Sequence, residues 1–364
     1  MINNFPRHRR RSPPLRNVPA LLLLCQACVV LGSVSCAGDP TLPAERTFPS
    51  DPTPPLEPVA FDAIGSGKVM FQRIGDLDHG GTFHAVYLID ADARQTSTVL
   101  DTVSSFLVMG TSISPAGDEV AWRRWNPEGC YSVYTTDLTG GRPRRLSSFS
   151  CNSEDEPSWT PSGSAVVFPG RSSAAFGIYQ RVLTTDALIT LRTSIAGNYK
   201  FGPASVSARE ALAYATVDEI YGAENPNDPL TVFYRTTSSD AHLYFPAWSP
   251  NGTDLAFLEV LRDTGLEAIL STSLKVLELG SGMVRTVAVV PGSGGGGYVG
   301  ADNPVSLCWL PGGTNFVFSA PSTGVVAGKE PLRANLYVVG ADGTGLVRLT
   351  TAPDAFDYNV SCSR

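Results

Sequence analysis

The chain has 364 residues, 43% of them hydrophobic, with 35 glycines, 28 prolines and a formal net charge of −7. An acidic balance without a basic stripe excludes nucleic acid and anionic lipid headgroups as direct partners of the folded part. Abundant glycine and proline among short apolar runs suits an all-β, turn-rich domain with no long amphipathic helix.

In chain order, residues 1–35 read as an export signal. "RHRRR" and Arg16 make a basic front end, and "VPALLLLCQACVVLGSV" (Val18–Val34) is the apolar run that follows. A membrane-crossing helix is the rival reading, but it needs about 20 apolar residues and no Gln26 at its centre. Cleavage removes Arg7, Arg9, Arg10, Arg11 and Arg16, so the mature chain is more acidic still. The run ends in "GSVSC", whose small residues before the cysteine resemble the lipobox of bacterial lipoproteins. That resemblance implies acylation of Cys36 as the mature N-terminus. With Ala37 next, it also implies anchoring in the outer membrane, on the periplasmic or surface side. Ordinary signal-peptidase cleavage near Ser35 is the alternative. Residues 36–58 are proline-rich and weakly apolar, a semi-extended tether rather than a packed element.

Residues 59–364 repeat one phrase. "GTSISPAGDEVAW" (Gly110–Trp122), "EPSWTPSGSAVVF" (Glu156–Phe168), "FPAWSPNGTDLAF" (Phe245–Phe257) and "SLCWLPGGTNFVF" (Ser306–Phe318) share a large apolar residue, a spacer, then Pro-x-Gly and a later aromatic. Proline presets the first corner of a tight turn and glycine accepts positive φ at its exit, so each phrase is a β-hairpin. A third strand follows in Tyr131–Leu138, Gly177–Leu183, Leu274–Leu279 and Asn335–Gly343, and a fourth closes each unit. A degraded copy puts Ala208 at the proline position, so the repeat spacings are 46, 47, 42 and 61 residues. Four-stranded units at such spacing are propeller blades. A further unit is split: Gly67–Arg73, His84–Asp92 and Thr96–Thr102 lack an inner strand, and the terminal "FDYNVSCSR" supplies one. Pairing the two closes the ring and removes exposed edges. The expected fold is a six-bladed β-propeller of four-stranded antiparallel blades, closed by the C-terminal strand.

Four cysteines lie beyond the leader, and an even count in an exported chain suggests two disulfides. A two-residue turn at Gly140–Gly141 sets Cys130 opposite Cys151 on a non-hydrogen-bonded pair, whose Cα separation of about 4.5 Å suits a bridge. Cys308 and Cys362 fall on neighbouring inner strands and would clasp the closure; two buried thiols are the alternative.

"FPAWSPNGTDLAF" and "NLYVVGADGTGLVRLT" resemble the TolB-like propeller repeat, a WD-like family, over about Phe61 to Arg364. The resemblance implies the fold and leaves function open, since this propeller serves many roles. TolB itself carries an α/β domain ahead of its propeller, and here a tether stands in that place. The serine peptidases that share the repeat need a G-x-S-x-G elbow, which the chain lacks.

Chemistry is sparse. His79, His84 and His242 are the histidines beyond the leader, and propeller lyases with this resemblance hold a metal with channel histidines; loop histidines are more often solvated. "PGSGGGGYVG" (Pro291–Gly300) lacks the Lys-Ser/Thr of a phosphate loop. No acidic cluster has calcium-loop spacing. No cofactor or metal is expected. Long connections between second and third strands, such as "RIGDLDHGGTF", "VDEIYGAENPNDPL", "LRDTGLEAILSTS" and "APSTGVVAGKEPLR", share one rim with the blade-to-blade links. Scaffold-held loops concentrate binding. On that rim are expected Asp76, Asp78, His79, Glu154, Glu156, Asp218, Glu219, Tyr221, His242, Tyr244, Asp302 and Asp357. Acids mixed with aromatics favour a protein segment or a cationic ligand. The expectation is a monomeric, non-catalytic envelope lipoprotein that binds a protein or peptide partner through this rim. A metal-dependent carbohydrate-active enzyme and a plain spacer are the competing expectations.

Overall fold

The computed structural model describes residues 56, 59–76, 82–103, 108–125, 130–139, 141, 143–147, 156–171, 176–193, 204–225, 228–263, 268–292, 306–321, 334–351 and 355–363. A short helix, α1 (Phe61–Ile64), precedes β1 (Lys68–Asp76), β2 (Thr82–Asp90) and β3 (Gln95–Val103). Next come β4 (Val108–Ile113), β5 (Glu119–Trp125), β6 (Tyr131–Asp137) and β7 (Arg144–Arg145). They are followed by β8 (Ser158–Trp159), β9 (Ala165–Arg171), β10 (Phe176–Val182) and β11 (Leu188–Thr193). Then β12 (Ser205–Val206), β13 (Leu212–Ala215), β14 (Glu219–Ala223) and β15 (Thr231–Arg235). The last groups are β16 (Ala241–Trp248), β17 (Asp254–Asp263), β18 (Ala268–Glu278) and β19 (Met283–Pro291), and β20 (Leu307–Trp309), β21 (Asn315–Pro321), β22 (Ala334–Gly340) and β23 (Val347–Arg348). The chain closes with β24 (Ala355–Ser363).

The architecture is an all-β propeller of four-stranded antiparallel units. Strands β4–β7, β8–β11, β12–β15 and β16–β19 form four separate four-stranded sheets. Six separate sheets were expected. In place of two more there is one eight-stranded sheet, because a parallel bridge between Ala334 and Phe356 joins β22 to β24. Within it β24 runs antiparallel to β1, from Ala355 opposite Gly75 to Ser363 opposite Lys68, as the complementary chain ends predict.

The core lies between sheets. Met70, Val86 and Leu88 pack on Val120, Trp122 and Tyr134; Val133 and Leu146 pack on Val166 and Phe168. The series continues to Phe316 and Phe318 against Tyr244 and Leu258. It returns where Val317, Leu336 and Val338 meet Val69, Phe71 and Tyr87, with α1 alongside. Adjacent apolar faces bury one another because each strand alternates inward and outward at period two.

Two expected details differ. "VDEIYGAENPNDPL" is no long loop: it contains β14, and Thr216 to Asp218 form the tight turn before it. "LRDTGLEAILSTS" is likewise mostly strand, in β17 and β18. The β6–β7 hairpin pairs Tyr134 with Arg145 and Thr135 with Arg144, two residues away from the register that would face Cys130 to Cys151. The cause is the Asp137 carboxylate, which accepts from the Thr139 and Gly141 N–H groups at 2.8 and 3.1 Å and centres the turn nearer Thr139. Cys130 is buried, and Cys151 lies outside the described residues.

Candidate functional site

The inner strands β4, β8, β12, β16, β20 and β24 line a channel, and the turn proline gives a common origin for comparing them. Two residues before it, Trp159, Trp248 and Trp309 each send the indole N–H to a carbonyl on the preceding inner strand. The acceptors are Ser112 (2.9 Å), Ser205 (3.2 Å) and Ala247 (3.0 Å). All three acceptors sit three residues before their own turn position. The other junctions meet at that level by other means. Ser361 Oγ accepts from the Ile113 N–H at 3.0 Å, and Ser158 Oγ donates to the Ala204 carbonyl at 2.5 Å. Between β20 and β24 the link is covalent: Cys308 and Cys362 form a disulfide with a Cα separation of 5.7 Å. Cys308 holds the acceptor position of the repeat and Cys362 the tryptophan position.

Five residues before the turn position the inner strands bulge. Gly110, Phe245 and Asn359 have φ of 57°, 50° and 51°, and the register slips beside each. A bulge re-aims the chain into the channel. Gly110 has a second constraint, since a Cβ there would lie 2.6 Å from Glu156 Cγ.

Between these bulges and the proline turns lies a cavity of about 270 Å³. Its walls are Pro115, Pro161, Pro250, Pro311 and the three tryptophans, with Ser112, Ser158, Ser205, Ala247, Cys308 and Ser361 as a collar of small residues. Pro161 and Pro250 are exposed at the mouth. Glu156 is the one ionisable side chain among the described lining residues, which include no lysine, arginine or histidine. The Asn359 amide, turned so that its nitrogen faces the carboxylate, stands 3.2 Å from Glu156 Oε1 and accepts from the Gly110 N–H at 3.1 Å.

The expected rim set divides. Glu156 faces the channel, not the long loops. Asp357 is not at the surface at all: it is 0% exposed, accepts from Arg73 Nε and Nη2 at 2.6 and 2.9 Å, and from Thr350 Oγ1 at 2.6 Å. Desolvating a carboxylate demands such partners. Tyr244 is likewise buried, with its hydroxyl 3.2 Å from His242 Nδ1.

Asp218, Glu219, Tyr221 and His242 do gather at one corner. The Leu243 N–H donates to the Val217 carbonyl at 2.9 Å, which sets the turn after β13 against the start of β16. Asp218 is exposed, and Tyr221 and His242 are half-buried. Tyr221 Oη donates to the Glu219 carboxylate, which also binds Arg235. These two contacts, the tyrosine first, hold the Glu219 pKa below its usual value. Burial lowers the His242 pKa, Arg262 adds to that, and Asp218 and Asp240 oppose it. Asp78, His79, Glu154, Asp302 and the Asp76 side chain lie outside the described residues, as does Cys36.

Among the described residues no three His, Cys, Asp or Glu side chains converge as metal ligands would. Sequence reasoning passed over Arg73, Asn359 and all of the collar except Cys308. The signal for the collar was present, since Ser, Ser, Ser, Ala, Cys and Ser occupy one repeat position, three before the turn residue.

No family model matches the sequence, and no curated protein matches it either. Solved structures do share the fold. A putative TolB from Agrobacterium tumefaciens is 15% identical with a TM-score of 0.50, over 82% of this chain and 100% of that one. TolB from Acinetobacter baumannii is 13% identical with a TM-score of 0.45, over 83% and 84%. An oligogalacturonate lyase from Vibrio parahaemolyticus is 10% identical with a TM-score of 0.47, over 78% and 80%. At these identities the likeness concerns architecture alone, and it places the chain among propellers of TolB-like fold.

Proposed function

We propose that the chain is a non-catalytic envelope lipoprotein, anchored through Cys36, whose propeller binds a protein or peptide partner at its loop-bearing rim. In this reading the eight-stranded sheet is two blades, β24–β1–β2–β3 and β20–β21–β22–β23, fused at one bridge, and the ring has six. The observation that carries the binding role is the corner formed by Asp218, Tyr221 and His242. It sets an exposed acid on a turn beside two half-buried rings on β14 and β16, a mixture of charge and aromatic surface that suits a protein contact. The leader and the proline-rich tether support export and anchoring.

The test is photocrosslinking in intact cells of the source bacterium, with a photoreactive residue at exposed Thr237 of the full chain. One discrete adduct is expected in the membrane fraction, with its yield lowered at least tenfold by Asp218→Ala with Tyr221→Ala. Cys36→Ala should move the protein to the soluble fraction. An adduct yield indifferent to the double substitution removes the rim assignment, and unchanged fractionation removes the anchor.

A further inference from the structure

One turn of the repeat departs from the others, and a second cavity opens beside it. At the turns after β4, β8, β16 and β20 the phrase is Pro-x-Gly, and the glycines adopt φ of 72°, 71°, 72° and 67°. The proline of one turn lies against the glycine of the next. A Cβ on Gly163 would sit 3.7 Å from Pro115 Cδ, and one on Gly313 would sit 3.5 Å from Pro250 Cδ. After β12 the phrase is Ala208-Arg209-Glu210. The Glu210 N–H still closes the turn on the Ser207 carbonyl at 2.9 Å, and Glu210 holds φ of 66°. Glycine takes that conformation without steric cost and glutamate does not, and such outliers gather at functional sites. Ala208 also lacks the ring that the other turns present to their neighbours.

Beside this turn, between the β8–β11 and β12–β15 sheets, lies a cleft of about 590 Å³. That volume is in the range of small-molecule sites, roughly 300–1,000 Å³. Gln180 and the Ser162–Ser164 hydroxyl pair reach it from one sheet, and Glu210 reaches it from the other. Glu210 is exposed and Gln180 half-buried, and among the described residues neither side chain has a hydrogen bond or ion pair. Arg192 adds a positive charge to the wall, with Nη1 and Nη2 donating to the Leu191 and Asp228 carbonyls at 2.7 and 2.9 Å. One acid and one base leave the described lining without net charge, which disfavours a cation and an anion alike. Exposed Ile189, with Leu191, supplies an apolar wall.

We propose that this cleft binds a neutral saccharide. Adjacent sugar hydroxyls donate to the two oxygens of Glu210, while the Gln180 amide donates to one hydroxyl and accepts from another. The C–H face of the sugar ring packs on Ile189 and Leu191. A peptide added as a strand suits the cleft poorly. Thr190 and Arg192 oppose the consecutive residues Tyr179 and Ile178, so Leu191 is an extra residue that interrupts the β11 edge. The site needs neither the rim nor the anchor, so one can fail while the others stand.

The experiment measures binding of the full chain to an immobilised array of neutral di- and trisaccharides of glucose, galactose, mannose and N-acetylglucosamine. Digalacturonate and a glucosamine disaccharide serve as the anionic and cationic probes. At least one neutral member should be held at least tenfold more tightly than either charged probe. Gln180→Ala and Glu210→Gln should each lower that affinity at least fivefold. Ala208→Pro with Glu210→Gly restores the phrase of the other turns and should abolish binding; it covers the case in which a single substitution fails to fold. No neutral saccharide held by the native protein, binding unaffected by the restored turn, or tighter binding of either charged probe each overturns the proposal. Absence of saccharide binding by the native protein with an intact rim adduct at Thr237 discards the cleft alone.

Discussion

The junction that closes the ring differs from those inside it. At the interior junctions between β4 and β8, β12 and β16, and β16 and β20, a tryptophan indole binds one carbonyl on the preceding inner strand. At the closing junction a disulfide occupies the same pair of repeat positions. Each interior inner strand is one arm of a hairpin, and a short turn returns it to its own second strand. β24 has no such arm. Its ladder partner is β1, with Val69 opposite Cys362, at the far end of the sequence. A terminal strand frays unless it is tied down, and a contact between distant residues bears a large loop-closure entropy. Among the described residues, the closing junction carries ties that the others lack: the disulfide to β20 and the buried Arg73–Asp357 ion pair to β1.

The sharpest way to break this contrast is to replace both cysteines, Cys308→Ser with Cys362→Ser. Their separation of 54 residues corresponds to roughly 4 kcal/mol of stability if the bridge acts on unfolded-chain entropy. Urea denaturation measures the loss, and hydrogen exchange should quicken first in Ala355–Ser363. Slowed or unchanged exchange there would mean that the ladder and ion pair hold β24 by themselves.

A smaller effect is expected from Trp309→Phe, which keeps most of the ring surface and removes the hydrogen bond to the Ala247 carbonyl. The loss should be about 1–2 kcal/mol, the range for leaving a part-buried acceptor unmet. It should be spread over the whole unfolding transition, without local opening of β20, since the turn at Pro311 still tethers that strand. A loss equal to that of the cysteine pair would erase the distinction between the two kinds of junction.

Much of this was legible because it is local. The Pro-x-Gly phrases mark the turns after β4, β8, β16 and β20, and even the degraded copy at Ala208 holds its place after β12. The unpartnered start and end of the chain predicted the β1–β24 pairing. What stayed hidden depends on distant partners or on side chains that overrule the backbone pattern. Asp357 reads as a surface acid until Arg73, 284 residues away, is known to meet it. The Asp137 side chain moved a hairpin register that two glycines had suggested. Glu219–Ala223 read as part of a long connection, yet four of its five residues are buried. Glu156 was singled out as an acid, but its place on the channel shows only in its packing against Gly110 of the neighbouring inner strand.

The smallest effect concerns protons, and it separates the two regions again. Burial lowers the pKa of His84, on β2 of the closing sheet, from its ordinary 6.5. His242, on β16, is lowered by burial and by Arg262, but Asp218 and Asp240 pull it back. In both cases the unfolded chain takes up a proton near pH 6.5 while the folded chain resists. The stabilising contribution is therefore complete above that pH and declines as the solution is acidified toward the folded pKa. Carboxylates with depressed pKa, such as Glu219, begin to titrate only below their ordinary 4.5 and leave the window from pH 6 to 7.5 to the histidines. The urea midpoint should fall across that window. His84→Gln should flatten the decline more than His242→Gln, because His84 is buried, whereas His242 is half-buried and has Asp218 and Asp240 opposing its shift. A steeper flattening from His242→Gln would place the proton-sensitive element at the β14–β16 corner rather than in the closing sheet.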